Sequence, residues 1–364
     1  MTTARVETSA TGPLAGVRVI EFVSIGPGPH CAMLLSDMGA DVLRIDREGG
    51  NGWANPVADR GRATKTVDIR SEAGRAFCLD VAAKADVVIE GFRPGVMERL
   101  GLGPAQMLER NPRLVYGRMT GWGQDGPLAQ TAGHDINYIG LTGALAAIGK
   151  PSEPATVPLN LVGDFGGGSM FLALGIVAAL FEREKSGLGQ VVDAAIIDGV
   201  ASLMTMFAGL IPSGSISVER ETNILAGCAP FYRSYLCKDG REMAVGSLEP
   251  KFFNEMLEKL GLQALGNCQD DRSQWPMLTA ALQQAFLAET QAYWTELFNG
   301  SDACVAPVLT LEQSFSHPHL RARETYVERD GVHHAAPAPR FSRTPSAIRP
   351  TLDAEAMLAS WESH

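Results

Sequence analysis

The sequence predicts an α/β fold with a largely parallel sheet. Over residues 17–116 short β-branched runs alternate with helical stretches, the pattern of strands joined by crossover helices. After Asp164 the pattern turns helical, and a new unit with its own strands begins near residue 223. At 364 residues the chain is long enough for a large core and for two domains.

The first strand is expected at 17–22, followed by a glycine-proline turn (IGPGP) and a helical stretch to about Met38. Residues 41–45 read as the second strand and 66–69 as a short third. Ser71 caps a helix to about Ala83, with Glu72 in its first turn. Residues 87–89 and 114–116 are further strands, with a helix over 104–109 between them. One helix is expected over 166–181 and another over 193–208. Beyond a linker at 211–222 come strands at 232–237 and 242–245, helices at 250–260, 275–286 and 290–298, and a strand at 304–309. The proline-rich basic tail is expected to run extended over the surface. This divides the chain into a first domain over 1–210, the linker, a small domain over 223–310, and a return to the first domain over 311–364.

A net charge of −10 argues against nucleic acid or anionic membranes as partners, because the overall field repels phosphate. The basic residues are uneven, however: Arg44, Arg47, Arg60, Arg62, Lys65, Arg70, Arg75, Arg93 and Arg99 fall in one quarter of the chain. Such a patch suits a small polyanion. Arg44, Arg47 and Arg93 follow strand ends, where ligands of open α/β sheets gather, although a solvated face is the usual fate of surface charge. Six scattered cysteines form no metal-type spacing and read as reduced thiols. The first 14 residues lack the apolar core of a signal peptide, and the apolar run at 170–181 is too short to cross a bilayer. A soluble, cytoplasmic protein is expected.

Three segments carry chemistry. The IGPGPH turn lacks the third glycine of a dinucleotide fingerprint, and no acid clearly closes the second strand. It therefore reads as a turn where something passes close to backbone. His134, in GHDIN, is either a loop histidine held by hydrogen bonds or a base whose neighbour Asp135 fixes its tautomer or caps a helix from Ile136. Asp164, before FGGGS, is either an ordinary N-cap or a base at a helix terminus whose bare glycine amides stabilise an enolate. An imidazole and a carboxylate facing one space could move a proton on and off carbon. Glu249, before Pro250, alone is an unremarkable first-turn acid.

Over nearly its whole length the chain resembles the α-methylacyl-CoA racemase branch of the class III CoA-transferase family. The resemblance rests on GPGPHCAMLLSDMGADVLRIDR, EGFRPGVMERLGLGP, RMTGWGQDGP, AGHDINYIGLTG, PLNLVGDFGGGSM, GLGQVVDAAIIDG, VGSLEP, SDACVAPVL and PAPRFSRT. It implies a large Rossmann-like α/β domain built from both chain ends plus a smaller α+β domain, in an interlocked homodimer. It also implies an acyl-CoA thioester substrate and neither metal nor organic cofactor, CoA being part of the substrate. His134 and Asp164 would be the two acid/base groups of a 1,1-proton transfer through an enolate. Glu249, reaching from the partner chain, would pair with His134, and Asp135 would hold the loop. CoA contacts would fall on Arg47, Val67, Asp68, Ile69, Arg70, Gly91, Phe92, Arg93, Arg99, Gly133, Ile136, Asn137 and Tyr138, with Arg70 standing where relatives often carry lysine. The transferases of the same family use the matching aspartate as a nucleophile, forming an aspartyl-CoA thioester. They generally lack the histidine and carry an extra glycine-rich loop absent near Val245–Glu249, so racemisation is the expected reaction.

Overall fold

The structure, a computed structural model, describes residues 11–50, 52–214 and 216–362. The signal-peptide reading rests mainly on residues 1–10, which lie outside the described residues. The chain divides into two compact units, the first comprising residues up to Ala144, Pro158–Thr205, and the chain from Arg321 onward.

In that first unit the chain runs β1 (Arg18–Phe22), α1 (Pro27–Asp37), β2 (Asp41–Asp46), β3 (Arg62–Thr66), α2 (Glu72–Ala82), β4 (Val87–Glu90), α3 (Val96–Arg99), α4 (Pro104–Arg110), β5 (Val115–Thr120) and α5 (Asp135–Leu141). It continues through a π-helix (Leu161–Ser169) directly into α6 (Met170–Ser186), then β6 (Val191–Ala195) and α7 (Ile196–Leu203). The six strands pair in the order β3-β2-β1-β4-β5-β6, all parallel. The order reverses between β1 and β4, and such a reversal leaves a crevice outside the carboxyl ends of the strands. β1, β4 and β5 are buried almost throughout, and the apolar runs Val19–Ile20 and Val87–Ile89 reflect it.

The two edge strands differ from expectation. The third strand is Arg62–Thr66, not 66–69: its RATKT sequence has no apolar face, yet it pairs in register from Val42↔Arg62 to Asp46↔Thr66. Val67 and Ile69 follow it and pack against the core. Residues 193–195 belong to β6, not to a helix, because they pair with β5 in register from Arg118↔Asp193 to Thr120↔Ala195.

The helix expected from Gly166 begins five residues earlier, so the glycine triplet lies inside it. A Cβ on Gly167 would sit 2.6 Å from Val200 Cγ2, and one on Gly199 would sit 1.9 Å from the Gly167 oxygen. These glycines let α7 and the π-helix approach backbone to backbone, which offsets their poor helix propensity. Leu161–Ser186 thus forms a 26-residue helix whose most apolar 18-residue window has a mean hydropathy of 1.7, long and apolar enough to cross a membrane, unlike the shorter run expected. It packs on β5 and β6, and 44% of its apolar window is buried.

The second unit comprises Leu145–Val157 and Met206–Leu320, so it takes in residues 145–157 and extends past the expected limit at 310. It holds most of α8 (Thr205–Leu210), then β7 (Tyr232–Leu236), β8 (Glu242–Gly246), α9 (Pro250–Leu260), α10 (Trp275–Leu287), α11 (Gln291–Phe298), β9 (Val305–Pro307) and α12 (Leu311–Ser316). Its antiparallel sheet, β7-β8-β9, packs with the helices around Phe231, Tyr235, Phe253, Phe286 and Trp294.

After α13 (Pro318–Ala322) the chain rejoins the first unit as a hairpin, β10 (Tyr326–Arg329) with β11 (Val332–Ala335), and ends in α14 (Ala354–Glu362). The stretch between β11 and α14 has little regular structure, as expected, and is anchored: Arg349 Nη2 meets Asp41 Oδ1 at 2.7 Å. α14, which was not expected, buries Met357 and Trp361 in the core below the sheet.

Candidate active site

A cavity of about 1380 Å³ opens where the loops after β1, β2, β3, β4 and β5 converge, all within the first unit. Its wall includes Arg47, Val67, Asp68, Ile69, Arg70, Gly91, Phe92, Arg93, Gly133, His134, Asp135, Tyr138 and Asp164, so these sequence-selected residues share one space. Arg99, Ile136 and Asn137 do not line it. Arg99 closes the short helix α3, and Ile136 is 43% exposed on α5. Asn137 acts one step back, its Oδ1 accepting the His134 backbone N–H at 3.0 Å.

The basic cluster divides by function. Arg44 does not serve the cavity as a free cation: its guanidinium is held by Asp59 at 2.6 Å and faces Asp46 at 3.5 Å. Arg60 pairs with Asp37, and Arg62 lies 2.6 Å from Glu21 in the core. Arg47, Arg70 and Arg93 remain on the wall, where guanidinium geometry suits phosphate oxygens. An acid does close the second strand, contrary to expectation. It is Asp46, whose Oδ1 takes the Arg47 N–H at 2.7 Å.

His134 is the N-cap of α5, in extended backbone, with Asp135 as the first helical residue. Asp135 is 8% exposed, and its Oδ2 accepts the backbone N–H of Asp164 at 2.6 Å. Its Oδ1 is buried without a hydrogen-bond partner among the described residues. Asp164 is not an N-cap; Asn160 is, and Asp164 falls in the first turn of the π-helix. Asn160 Nδ2 donates to Asp164 Oδ2 at 3.3 Å. The same oxygen lies 3.1 Å from where a Cβ on Gly26 would stand, so the IGPGP turn is where a carboxylate passes close to backbone. Burial pushes the Asp164 carboxyl above the usual carboxylate range. The Asn160 bond pulls it down, the Asp135 charge pushes it up, and His134 pulls it down.

The glycine amides expected to hold an enolate are enclosed in the helix, where Phe165 N–H reaches Asn160 O at 3.2 Å and Met170 N–H reaches Phe165 O. The opening amides of α5, at Asp135 and Ile136, have by contrast no partner in the helix's own ladder.

Tyr138 stands edge-on to Trp122, ring centroids 4.7 Å apart. A Cβ on Gly121 would fall 2.0 Å from Tyr138 Cζ, and one on Gly133 2.7 Å from its Cε1. The glycines of GWG and AGHD therefore make room for this ring. Burial, with Asp164 next, pushes the Tyr138 hydroxyl up, while Arg93 pulls it down. The loop carrying Arg93 is fixed from beneath. Fully buried Glu90 accepts the Phe92 N–H at 2.7 Å and meets Arg118 Nε at 3.1 Å. Burial pushes its carboxyl up to about 7.

Asn160 and Glu90 were missed from sequence. Asn160 is a lone amide two residues after a proline, and Glu90 ends a strand like many solvent-facing acids. Only burial and contact reveal them.

Glu249 lies in the second unit, exposed, as the N-cap of α9. Its loop is tied down by hydrogen bonds: Ser247, wholly buried, donates to Ala303 O at 2.6 Å, and Gln269 Nε2 donates to Leu248 O at 2.9 Å. Among the described residues no group of three or more His, Cys, Asp or Glu side chains could hold a metal ion.

Comparison with known proteins bears on this site. The chain is 43% identical over 335 residues to alpha-methylacyl-CoA racemase of Mus musculus, covering 92% of this chain and 87% of the relative. It is 40% identical over 337 residues to the Homo sapiens protein of the same name, with the same coverage. A crystal structure of a CAIB/BAIF family protein from Brucella suis superposes with a TM-score of 0.82 at 25% identity, over 97% of this chain and 99% of that one. A sequence profile described as CoA-transferase family III matches residues 14–354, and the chain belongs to that family.

Proposed function

We propose that the protein racemises 2-methylacyl-CoA thioesters, with His134 and Asp164 as the two acid/base groups. The observation that carries this is the presence on one cavity wall of His134 and of a carboxyl raised by burial, in a chain over 40% identical to a named racemase. A thioester acidifies its α C–H bond. One group takes that proton as the C–H electron pair moves into the carbonyl, giving an enolate; the conjugate acid of the other delivers a proton to the opposite face. One group has then gained a proton and the other has lost one, and a turnover in reverse or exchange with solvent resets them. Each must work in both protonation states, and burial brings Asp164 toward that condition. The Asp135 amide, which opens α5 on the cavity wall, is the donor this reading assigns to the enolate oxygen.

In this reading CoA lies along the wall bearing Arg47, Val67–Arg70 and Gly91–Arg93. The chemistry calls for no metal or organic cofactor, since two bases and a thioester suffice. We assign the active form as an interlocked cytoplasmic homodimer in which Glu249 of a second copy pairs with His134. What supports association is the family resemblance and an apolar strip left open on α6, including Leu174 and Phe181, both 65% exposed.

The test is proton NMR of a single-enantiomer 2-methylacyl-CoA with the enzyme in deuterated water. Loss of the α-proton with inversion, and no acceptor acid present, is expected. An α-proton that persists while an added carboxylic acid receives CoA would instead make Asp164 a nucleophile.

A further inference from the structure

The GPGPH turn closes on the segment that carries Asp164, and it touches that segment at several points. Gly26, the N-cap of α1, has φ 75°, and Asp164 Oδ2 lies 3.1 Å from where its Cβ would be. Pro27 Cβ is 3.2 Å from the corresponding point on Gly168. One turn into α1, the His30 ring stacks on Phe165, centroids 4.6 Å apart and planes at 30°. Its Nδ1 is 2.7 Å from Ser169 Oγ. Phe165 is the residue after Asp164, and Ser169 closes the π-helix.

We infer that His30 is a positioning residue for Asp164, gripping the π-helical turn at both Phe165 and Ser169 and so fixing where the carboxyl points. This rests on the racemase reading above. A π-turn is rare and persists where its surroundings over-determine it, frequently at functional sites. Here the surroundings are the first turn of α1. Ser169 is wholly buried, so its hydroxyl needs a partner, and His30 is that partner. Burial, then Arg60 and Arg62, lower the pKa of the ring and so favour its neutral form. A neutral imidazole offers one donor and one acceptor, which matches a hydroxyl in either tautomer. Without this grip the segment is free to relax toward an ordinary helical turn, which would swing Asp164 away from Asn160 and Gly26. His134 stands on a different element, α5, and is left in place.

That asymmetry defines the experiment. Each enantiomer of a 2-methylacyl-CoA is followed separately by proton NMR in deuterated water, with wild type, His30→Phe, His30→Asn, Ser169→Ala and the His30→Phe/Ser169→Ala double variant. His30→Phe keeps a ring on Phe165 and deletes the polar atom; His30→Asn restores a polar atom near the Nδ1 position. Inversion by His30→Phe is expected to fall about tenfold to a hundredfold, the scale of a small misplacement of a reacting group, with KM within about twofold. It falls equally from both enantiomers, because the overall equilibrium links the two directions. Exchange does not fall equally. The enantiomer whose α-proton faces His134 still trades it for deuterium, while the other loses exchange along with inversion. His30→Asn recovers part of the inversion rate, Ser169→Ala resembles His30→Phe, and the double variant is no worse than either single one. Wild-type inversion in His30→Phe, or exchange lost in step from both enantiomers, would overturn the proposal while leaving the racemase reading intact. A wild-type protein that exchanges neither enantiomer overturns that reading and this one with it.

Discussion

The backbone N–H of Asp164 is held by the carboxylate of Asp135 at 2.6 Å, so the residue beside one proposed base fixes the backbone of the other. Asp135→Ala removes a charged acceptor and leaves a part-buried amide unpaired. A loss of about 1.5–3 kcal/mol in stability is expected. The turnover rate should drop about tenfold to a hundredfold with little change in KM, because the stretch proposed to hold CoA, Arg47, Val67–Arg70 and Gly91–Arg93, is untouched. Urea titration and steady-state kinetics on the same preparation check both. A turnover rate equal to wild type would remove Asp135 from the site's architecture.

Asn160 stabilises the ionised form of Asp164 through its 3.3 Å bond, so Asn160→Ala should raise the Asp164 pKa further. In the proposed mechanism the enzyme carries one proton on the His134–Asp164 pair, and activity is lost on the acid side when a second proton binds. A higher Asp164 pKa makes that second protonation easier. The acid limb of the kcat/KM profile is therefore expected to move to higher pH, with the alkaline limb changing less. A limb that stays put or moves to lower pH contradicts the contact.

Glycine contacts separate structural room from mere flexibility. Gly163→Ala would set a methyl 2.2 Å from Asp135 Oδ2 and push it off the Asp164 amide, so its kinetic defect should match that of Asp135→Ala. Gly209, on α8, has nothing within 4 Å of its missing Cβ, and Gly209→Ala should be neutral or stabilise by about 0.5–1 kcal/mol. Thermal melts and activity of the two variants give the contrast; equal behaviour would mean the close approach at Gly163 is not real.

The sequence made β1, β2, β4 and β5 legible because parallel strands buried on both faces concentrate β-branched residues. It concealed β3 and β6 because an edge strand such as RATKT has no apolar face to announce it. His134 and Asp164, singled out in the sequence, both line one cavity, yet the helix carrying Asp164 starts earlier than expected. The GGG run looks like a helix opening by local propensity, whereas its purpose is contact with α7, set by residues some 30 positions away. The same non-locality hid Asn160 and Glu90.

The family resemblance groups Arg93 and Arg99 as CoA contacts, and the structure separates them. Arg93 lines the cavity and acts electrostatically on Tyr138; Arg99 does not line it. Arg93→Ala should raise KM for an acyl-CoA about tenfold or more, as expected on losing a bond to a charged group, and leave kcat nearly unchanged. Arg99→Ala should stay within about twofold of wild type. Parallel KM measurements with an acyl-CoA and with its short acyl-pantetheine analogue locate the loss on the nucleotide end. Equal defects in the two variants would contradict the lining of this cavity.

Glu90 couples the cavity floor to pH. Its carboxyl is raised to about 7 in the folded chain from an ordinary 4.5, chiefly by burial. Between those values the folded form holds a proton that the unfolded form has released, so stability falls as pH rises through this window and levels off above it. The difference of about 2.5 units corresponds to about 3 kcal/mol. Glu90→Gln keeps the shape and cannot ionise, so its stability should be flatter across the window. Urea melts of both proteins at pH 5, 6 and 7.5 test this. Because Glu90 also holds the Phe92 N–H, the variant should bind acyl-CoA more weakly at pH 7.5, where the wild-type group is ionised and the amide is a poorer acceptor than the carboxylate, and approach wild type at pH 5. If instead both proteins lose stability with the same slope, the proton resides elsewhere and the floor of the cavity is not the pH-sensitive element.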